Sequence, residues 1–219
     1  MSYAHIFPLT DDLLVNFTLF RGGRQAPCYT YCMVKSNYKY ILLNKPFGVL
    51  PQFTDKLERK TLKDFVPFKN IYPVGRLDLD SEGLLLLTDD TQLNHFLSSS
   101  ENKQPKTYWA QVEGVPDENS LTLLRTGIMI EGKKTLPAKV KMIAAPQNLW
   151  PRPKPVRFRK NIPTSWLEIT LHEGRNRQVR KMTAAAGFPC LRLIRISIGS
   201  FQIGNLKPGQ FRGIEKPAV

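Results

Sequence analysis

The sequence predicts an α+β domain with a mixed, largely antiparallel sheet and flanking helices, and three observations support this class. From residue 38 onwards, many short apolar or alternating segments follow one another, which is typical of strands. Helical patterns separate only some of these segments. The chain has 219 residues, 42% of them hydrophobic, which is enough for one sizeable core. Many strands with few helices between them are typical of α+β folds.

Strands are predicted where apolar residues run continuously or recur at every second position. Two continuous segments predict strands buried on both faces, YKYILLN and SEGLLLLT. Three others alternate with a period of two, KTYWAQVEG, LPAKVKMIAA and SWLEITLHEG. The last predicted strand is LRLIRISIG, which we interpret as alternating Leu191 and Leu193 against Arg192 and Arg195.

Helices are predicted between these strands, where apolar residues recur at helical spacing. The four segments are TLKDFV, TQLNHFLSS, DENSLTLLRTG and RNRQVRKMTAAAGF. In the last of them, Val179, Met182 and Ala186 share one face, and Gly187 is the expected C-terminal stop.

Residues 1–38 differ in composition from the rest of the chain. The stretch RGGRQAPCYTYCMVKSNYK has glycine, proline and scattered basic groups without sustained periodicity. We therefore predict an N-terminal extension over 1–38, containing at most a short element in LTDDLLVNFTLF, and one domain over 39–219. We expect this domain to fold alone, as a monomer.

The charge balance indicates a polyanionic partner. Lys and Arg total 32 against 18 Asp and Glu, a net charge of +14, and an excess of this size is typical of nucleic-acid binding. A merely soluble basic surface is the alternative. The start MSYAHIFPLTDDLL is unlike a signal peptide and no apolar run is long enough to span a bilayer, so we expect a cytosolic protein. The three cysteines lack zinc spacing and are expected to be reduced.

A proline-rich basic segment, APQNLWPRPKPVRFRKNIPTSW, lies between two predicted strands and is expected to be an exposed loop. It is either a stiff connector or an arm that contacts phosphates, and clustering of basic and aromatic residues favours the arm. The residues concerned are Arg152, Lys154, Arg157, Arg159 and Lys160, with Trp150 and Phe158.

One stretch, VGRLDLDSEGLLLLTDD, concentrates acidic residues in this basic chain. The carboxylates are Asp78, Asp80, Glu82, Asp89 and Asp90. Their spacing resembles a calcium loop, but such a loop needs flanking helices and a glutamate at its twelfth position, where this chain has aspartate. A glycosidase would need a second acid at a defined distance, which nothing in the sequence fixes. The remaining interpretation is one carboxylate that acts at a ribose carbon.

Three segments in order, GRLDLDSEGLLLLTDD, KTYWAQVEG and EGRNRQVRKMTAAAGFPCLRLIRISIG, resemble the ribosomal small-subunit pseudouridine synthases of the A type. The resemblance extends from ILLNKPFGVLPQFTD to the C-terminus. The segments VLPQFTD, IPTSW and LWPRPKPVR are most similar to a subgroup that acts on large-subunit ribosomal RNA. The S4-like RNA-binding domain of the wider family is not recognisable in residues 1–38.

The resemblance implies isomerisation of uridine, in which the C1′–N1 bond breaks and C5 joins C1′, with no cofactor and no metal. Asp78 is the implied catalytic carboxylate, either as nucleophile at C1′ or as base at C2′. Arg76 is an implied site residue that holds the flipped nucleotide, with a surface phosphate contact as the alternative. The other four carboxylates are expected to be polar residues of turns and strand ends.

Tyr108 and Arg180 are the other implied catalytic residues. Tyr108 is expected to stack on the extruded uracil, and Arg180 to pair with Asp78 through a forked hydrogen bond that favours its charged form. We expect Arg175, Arg177 and Lys181 to meet backbone phosphates, and Leu193 to supply an aliphatic wall. The predicted function is therefore a pseudouridine synthase acting on a uridine of large-subunit ribosomal RNA or its assembly intermediate. A non-catalytic RNA-binding assembly factor on the same fold is the alternative.

Overall fold

The computed structural model describes residues 38–99, 102, 104–147, 149–156 and 159–216. Within them, nine strands form one sheet, whose central order is Phe211–Gly213 (β11), Tyr40–Lys45 (β1), Glu82–Thr88 (β3), Cys190–Ile198 (β9), Lys106–Glu113 (β4), Thr164–Leu171 (β8) and Lys139–Ile143 (β7). Tyr72–Pro73 (β2) pairs with β3, and Phe201–Gln202 (β10) pairs with β9. Neighbouring strands are antiparallel except for β3 and β9, which are parallel. The predicted α+β class with a mixed, largely antiparallel sheet is confirmed. Except for Tyr38, the predicted extension lies outside the described residues and its boundary stays a prediction.

The strands of this sheet are β1 (Tyr40–Lys45), β2 (Tyr72–Pro73), β3 (Glu82–Thr88), β4 (Lys106–Glu113), β7 (Lys139–Ile143), β8 (Thr164–Leu171), β9 (Cys190–Ile198), β10 (Phe201–Gln202) and β11 (Phe211–Gly213). A separate hairpin is made of β5 (Met129–Ile130) and β6 (Lys133–Lys134). The six strands predicted from periodicity correspond to β1, β3, β4, β7, β8 and β9.

The helices are α1 (Thr91–Ser98), α2 (Glu118–Thr126), α3 (Gln178–Ala185) and a 3₁₀ turn (Leu62–Asp64). Side chains cap both α1 and α2, because Asp90 accepts a hydrogen bond from Leu93 N at 2.9 Å and Asp117 accepts one from Ser120 N at 2.8 Å. All four segments predicted to be helical contain one of these elements. In the described part of the chain, none is long and apolar enough to cross a membrane.

The leucine run of β3 supplies apolar side chains to both faces of the sheet. Leu84 and Leu86 pack in one cluster with Tyr40 and Leu42 of β1, whereas Leu85 and Leu87 pack in another on the opposite face. All four leucines are almost completely buried. Each buried side chain of this size contributes roughly 1.5–3 kcal/mol. The central position of β3 fixes the loop that precedes it.

Gly83 determines how closely β3 approaches β9. Its φ is +107°, and a Cβ at this position would lie 2.3 Å from the carbonyl oxygen of Arg195. Only glycine fits such a backbone and such a contact. The segment 78–82 is therefore held directly against β9, and this contact positions the acidic residues.

Candidate active site

The acidic loop that joins β2 to β3 forms one wall of a cleft with a volume of about 650 Å³. The loop begins after β2 and ends at Ser81, which is fully buried. The opposite walls come from β4, β9 and the start of α3. The charged and aromatic residues at the cleft include Arg76, Asp78, Tyr108, Arg177 and Arg195. A cleft of this kind at the edge of a buried sheet is large enough to take a small polar ligand.

Asp78 and Asp80 both lie beside the guanidinium of Arg177. Arg177 Nη1 is 3.5 Å from Asp78 Oδ2. The same guanidinium binds Asp80 through two hydrogen bonds of 2.8 Å each. These bonds hold the pKa of Asp80 below its usual value and raise that of Arg177. Arg177 has a left-handed backbone, with φ 51°, just before α3, so the chain turns there.

The expected ion pair between Arg180 and Asp78 is not found, and this prediction is corrected. Arg180 Nη2 donates to the carbonyl oxygen of Asp80 at 2.8 Å and Nη1 to that of Cys190 at 3.1 Å. Arg180 Nη2 also lies 3.5 Å from Asp80 Oδ2, and Arg180 is not among the residues that line the cleft, whereas Arg177 is. The arginine next to Asp78 is therefore Arg177, and Arg180 joins the loop to β9.

Tyr108 and Leu193 both line the cleft that contains Asp78. Tyr108 on β4 is half-buried and packs against the apolar clusters on both sides of it along the sheet. Leu193 on β9 is buried and lines the same cleft. An aromatic ring beside an aliphatic wall is suited to hold a flat ring between them. The predicted partners of a stacked base are therefore brought together.

Two buried cations beneath the loop were not predicted as site residues. Lys45 is fully buried, donates to the carbonyl oxygens of Pro46 and Val49, and burial lowers its pKa to about 7. Arg195 is only 2% exposed and lines the cleft. The interpretation that Arg195 alternates against Leu193 is wrong, since the two are two residues apart and both line the cleft. The sequence did contain a signal for this, because side chains two positions apart on one strand lie on the same face of the sheet.

The other predicted RNA contacts differ in how free their side chains are. Arg76 is exposed at the cleft and its side chain makes no hydrogen bond or ion pair with the described residues. Arg175 is bound to Glu173 and to the carbonyl oxygens of the β5–β6 hairpin. Lys181 pairs with Glu131 at 2.7 Å. Arg175 and Lys181 thus support local structure, and their RNA contacts stay predictions.

Comparisons with known proteins decide the family. A family model described as RNA pseudouridylate synthase matches residues 39–185. The chain belongs to this family. It is 55% identical over 179 residues to "Ribosomal large subunit pseudouridine synthase E" of Vibrio parahaemolyticus, covering 82% of this chain and 75% of that protein. A protein of the same name from Xanthomonas campestris pv. campestris is 51% identical over 181 residues, covering 82% of this chain and 97% of that protein.

A solved structure agrees with the family assignment. The structure described as "Crystal structure of pseudouridylate synthase" superposes with a TM-score of 0.68 at 29% identity, covering 81% of this chain and 70% of that one. The sheet and the cleft described above are therefore those of a pseudouridine synthase fold.

The remaining carboxylates of the acidic stretch have structural partners in this synthase. Asp90 caps α1 and Asp89 binds Lys39, as expected for polar residues at a strand end. Glu82 differs from the expectation: it is buried and accepts two 2.8 Å hydrogen bonds from Arg192 and one of 2.7 Å from Trp150. Among the described residues, no cluster of His, Cys, Asp and Glu could hold a metal ion.

The proline-rich basic loop is attached to the domain through Trp150 and Arg152. Arg192, already bound to Glu82, also donates to the carbonyl oxygen of Trp150 at 3.0 Å. The guanidinium of Arg152 lies 4.2 Å above the ring of Phe47. Lys154 and Lys160 are exposed, while Arg157 and Phe158 lie outside the described residues. The loop is thus attached at Trp150 and Arg152 and has exposed lysines further along.

Proposed function

We propose that this chain isomerises one uridine, or very few, of large-subunit ribosomal RNA to pseudouridine. The observation that supports this most directly is the partly exposed Asp78 carboxylate at the cleft, 3.5 Å from the Arg177 guanidinium and in the same cleft as Tyr108. The names of its relatives from Vibrio parahaemolyticus and Xanthomonas campestris support the substrate class, and the subgroup E assignment is part of the proposal.

Asp78 is the proposed catalytic group. As an ionised carboxylate it either attacks C1′ of the ribose or removes the C2′ proton. In both routes the C1′–N1 bond breaks, the uracil turns, and C5 joins C1′. Arg177 lies 3.5 Å from this carboxylate and supplies a positive charge beside it. These steps use only the chain's own side chains, so we propose that no cofactor takes part.

Tyr108 and Leu193 are proposed to hold the extruded base. A uridine inside an RNA stack cannot reach the carboxylate, so the nucleotide must be flipped into the cleft. The ring of Tyr108 then covers one face of the uracil while Leu193 bounds the cleft beside it. Arg76, whose side chain is free of partners in the described part of the chain, is placed to bind the phosphate or ribose of the flipped nucleotide.

Arg180 has a proposed supporting role rather than a direct one. It donates to the Asp80 carbonyl oxygen at 2.8 Å and thereby fixes the loop that carries Asp78. The basic loop at 150–160 is proposed to bind RNA phosphates through Lys154 and Lys160, which are exposed. We propose that the protein acts as a monomer in the cytoplasm, on ribosomal RNA or an assembly intermediate.

Replacement of Asp78 by asparagine tests the proposal. Asp78→Asn removes the anion but keeps the shape, so pseudouridine formation in the RNA should be abolished while RNA affinity changes by only a few-fold. Asp89→Asn is the matched control, because it makes the same chemical change at a residue bound to Lys39 and not lining the cleft. It should retain activity.

The readout is a pseudouridine map of ribosomal and transfer RNA from a strain that lacks the gene, with each variant added back. Loss of a transfer-RNA or small-subunit site, with large-subunit RNA unchanged, would overturn the substrate class. Substantial turnover by Asp78→Asn would overturn the catalytic role. RNA binding by the wild type without any pseudouridine formed would favour the non-catalytic assembly factor.

A further inference from the structure

Arg195 is a buried cation at the floor of the cleft. It lies on β9 with its Cα opposite that of Tyr108 on β4, and Leu193 is two residues before it on the same strand. Side chains at directly opposed positions, and at every second position, share one face of a sheet. All three residues line the cleft. Arg195 is thus a neighbour of the two groups proposed to hold the base.

The guanidinium of Arg195 is only partly used by the protein. Its Nε donates to the carbonyl oxygen of Leu84 at 2.7 Å and its Nη1 to that of Arg76 at 3.3 Å. Its Nη2 is buried and has no hydrogen-bond partner among the described residues. A buried charged donor is normally paired, and an exception calls for an explanation such as a catalytic role. The two bonds that do exist hold the guanidinium in place on a residue that lines the cleft.

Charge near Arg195 is also unusual. Lys45, the other buried cation, lies close enough to Arg195 for the two charges to repel each other. Glu82, a buried carboxylate of the acidic stretch, is already bound to Arg192 and Trp150. Because Glu82, Asp80 and Asp78 act on Lys45 in the opposite sense, what distinguishes the site is the unpaired donor of Arg195 and not the sum of the charges. Such a site is suited to an anion that forms during the reaction.

The proposed reaction forms an anion of this kind. When the C1′–N1 bond breaks, its electron pair stays on the base, so uracil leaves as an anion whose charge is shared by O2 and O4. The ring electrons at C5 then form the new bond to C1′, C5 loses its proton, and N1 gains one. Fixed donors aimed at developing charge lower the barrier more than they stabilise the ground state.

We propose that Arg195 donates its unpaired Nη2–H to a carbonyl oxygen of the target uracil and stabilises the base as it leaves as an anion. This rests on the proposed function and adds a residue to it. Asp78 acts at the ribose, and Arg195 acts at the departing base. Tyr108 and Leu193 bring the base to the position where this hydrogen bond forms.

The test compares two RNA substrates in single-turnover reactions. Transcripts of large-subunit ribosomal RNA are made with uridine or with 5-fluorouridine, in which fluorine withdraws electrons and stabilises the uracil anion by itself. Breakage of the original N-glycosidic bond is followed by nuclease digestion and mass spectrometry. The variants are Arg195→Lys and, should lysine disturb the fold, Arg195→Gln, with folding checked by thermal unfolding.

Arg192→Lys is the matched control. Arg192 lies on the same strand and is 7% exposed, but its Nε and Nη2 are bound to Glu82 and to the carbonyl oxygen of Trp150. A defect that comes only from loosening β9 should therefore appear in this variant as well. The defect of Arg192→Lys should be equally large with uridine RNA and with 5-fluorouridine RNA.

We expect Arg195→Lys to cleave uridine RNA about 100-fold more slowly than wild type, as for loss of one donor to a developing oxyanion. The defect should be markedly smaller with 5-fluorouridine RNA. An equal defect with both RNAs, or a wild-type rate, would overturn the inference and leave the proposed function intact. Failure of the wild-type protein to form pseudouridine at all would instead overturn the proposed function.

Discussion

Two arginine–carboxylate pairs have carboxylates only two residues apart in the chain but lie in different surroundings. Asp80 binds Arg177 and Glu82 binds Arg192, each through two hydrogen bonds of 2.8 Å. The side chains of the first pair are 38% and 40% exposed, and those of the second are 2% and 8% exposed. Arg177 uses Nη1 and Nη2 and Arg192 uses Nε and Nη2, but both pairs are bidentate at the same distances, so burial is the larger difference between them.

The comparison indicates that burial determines what each pair contributes. Water and salt screen the Asp80–Arg177 pair, so it contributes little to stability, but it holds the guanidinium next to Asp78. The Glu82–Arg192 pair is shielded and also receives Trp150, so it joins β3, β9 and the basic loop. Breaking it leaves a charge buried without its partner. The first pair should therefore matter for turnover and the second for folding.

The largest expected effect is on stability, from Glu82→Gln. The amide keeps the size of the side chain but leaves Arg192 as an uncompensated buried cation. We expect the free energy of unfolding to fall by about 3–5 kcal/mol, the range for removal of one partner from a buried pair. Urea denaturation followed by tryptophan fluorescence measures it. The protein that remains folded should isomerise uridine at close to the wild-type rate.

The double variant Glu82→Gln with Arg192→Met checks the reason for this loss. If the unpaired cation causes it, removing the cation should restore part of the stability. A double variant less stable than Glu82→Gln alone would mean that packing, not charge, is responsible.

A smaller effect on stability is expected from Asp80→Asn. An exposed pair contributes at most about 1 kcal/mol, so the unfolding free energy should fall by no more than that. Turnover should fall on the order of tenfold or more, because Arg177 loses its second anchor and Asp78 its fixed neighbour. Parallel urea and single-turnover measurements separate the two effects. Equal losses of stability in Asp80→Asn and Glu82→Gln would contradict the comparison.

Much of this contrast lay beyond the sequence, for a physical reason. Periodicity identified β3 as a doubly buried strand, and the family resemblance placed Asp78, Tyr108 and Leu193 at one site. Two acidic residues in "DLDSEG", Asp80 and Glu82, are distinguished by partners that are distant in sequence, Arg177 just before α3 and Arg192 on β9. The choice between Arg177 and Arg180 as the neighbour of Asp78 depended on the left-handed turn at Arg177. Such a turn leaves no periodic signal.

The basic loop extends the comparison to RNA binding, since the Glu82–Arg192 pair anchors it while its lysines stay exposed. Replacing Lys154 and Lys160 by alanine should reduce the slope of log K against log salt by roughly 0.7–0.9 per lysine, if each neutralises one phosphate. Filter-binding measurements between low and moderate salt give the slope. Lys63 and Lys69, also exposed but away from the cleft and the loop, provide the matched double-alanine control. An equal change of slope in both double variants would remove the loop from the RNA-binding face.

The smallest expected effect is the acid dependence of the exposed pair. Hydrogen bonds from Arg177 lower the pKa of Asp80 below 3.8, so the folded state binds this proton less readily than the unfolded state does. The stabilisation by Asp80 is therefore fully present above pH 3.8 and is lost as the pH falls through the lowered pKa. Wild type and Asp80→Asn should differ in unfolding free energy at neutral pH and converge in stronger acid.

Urea titrations at a series of pH values measure this difference in unfolding free energy. High salt at neutral pH should reduce the same difference, because the pair is exposed. A gap that persists undiminished in strong acid would show that the amide disturbs the loop itself, and that the charge of the pair is not what distinguishes it from the buried one.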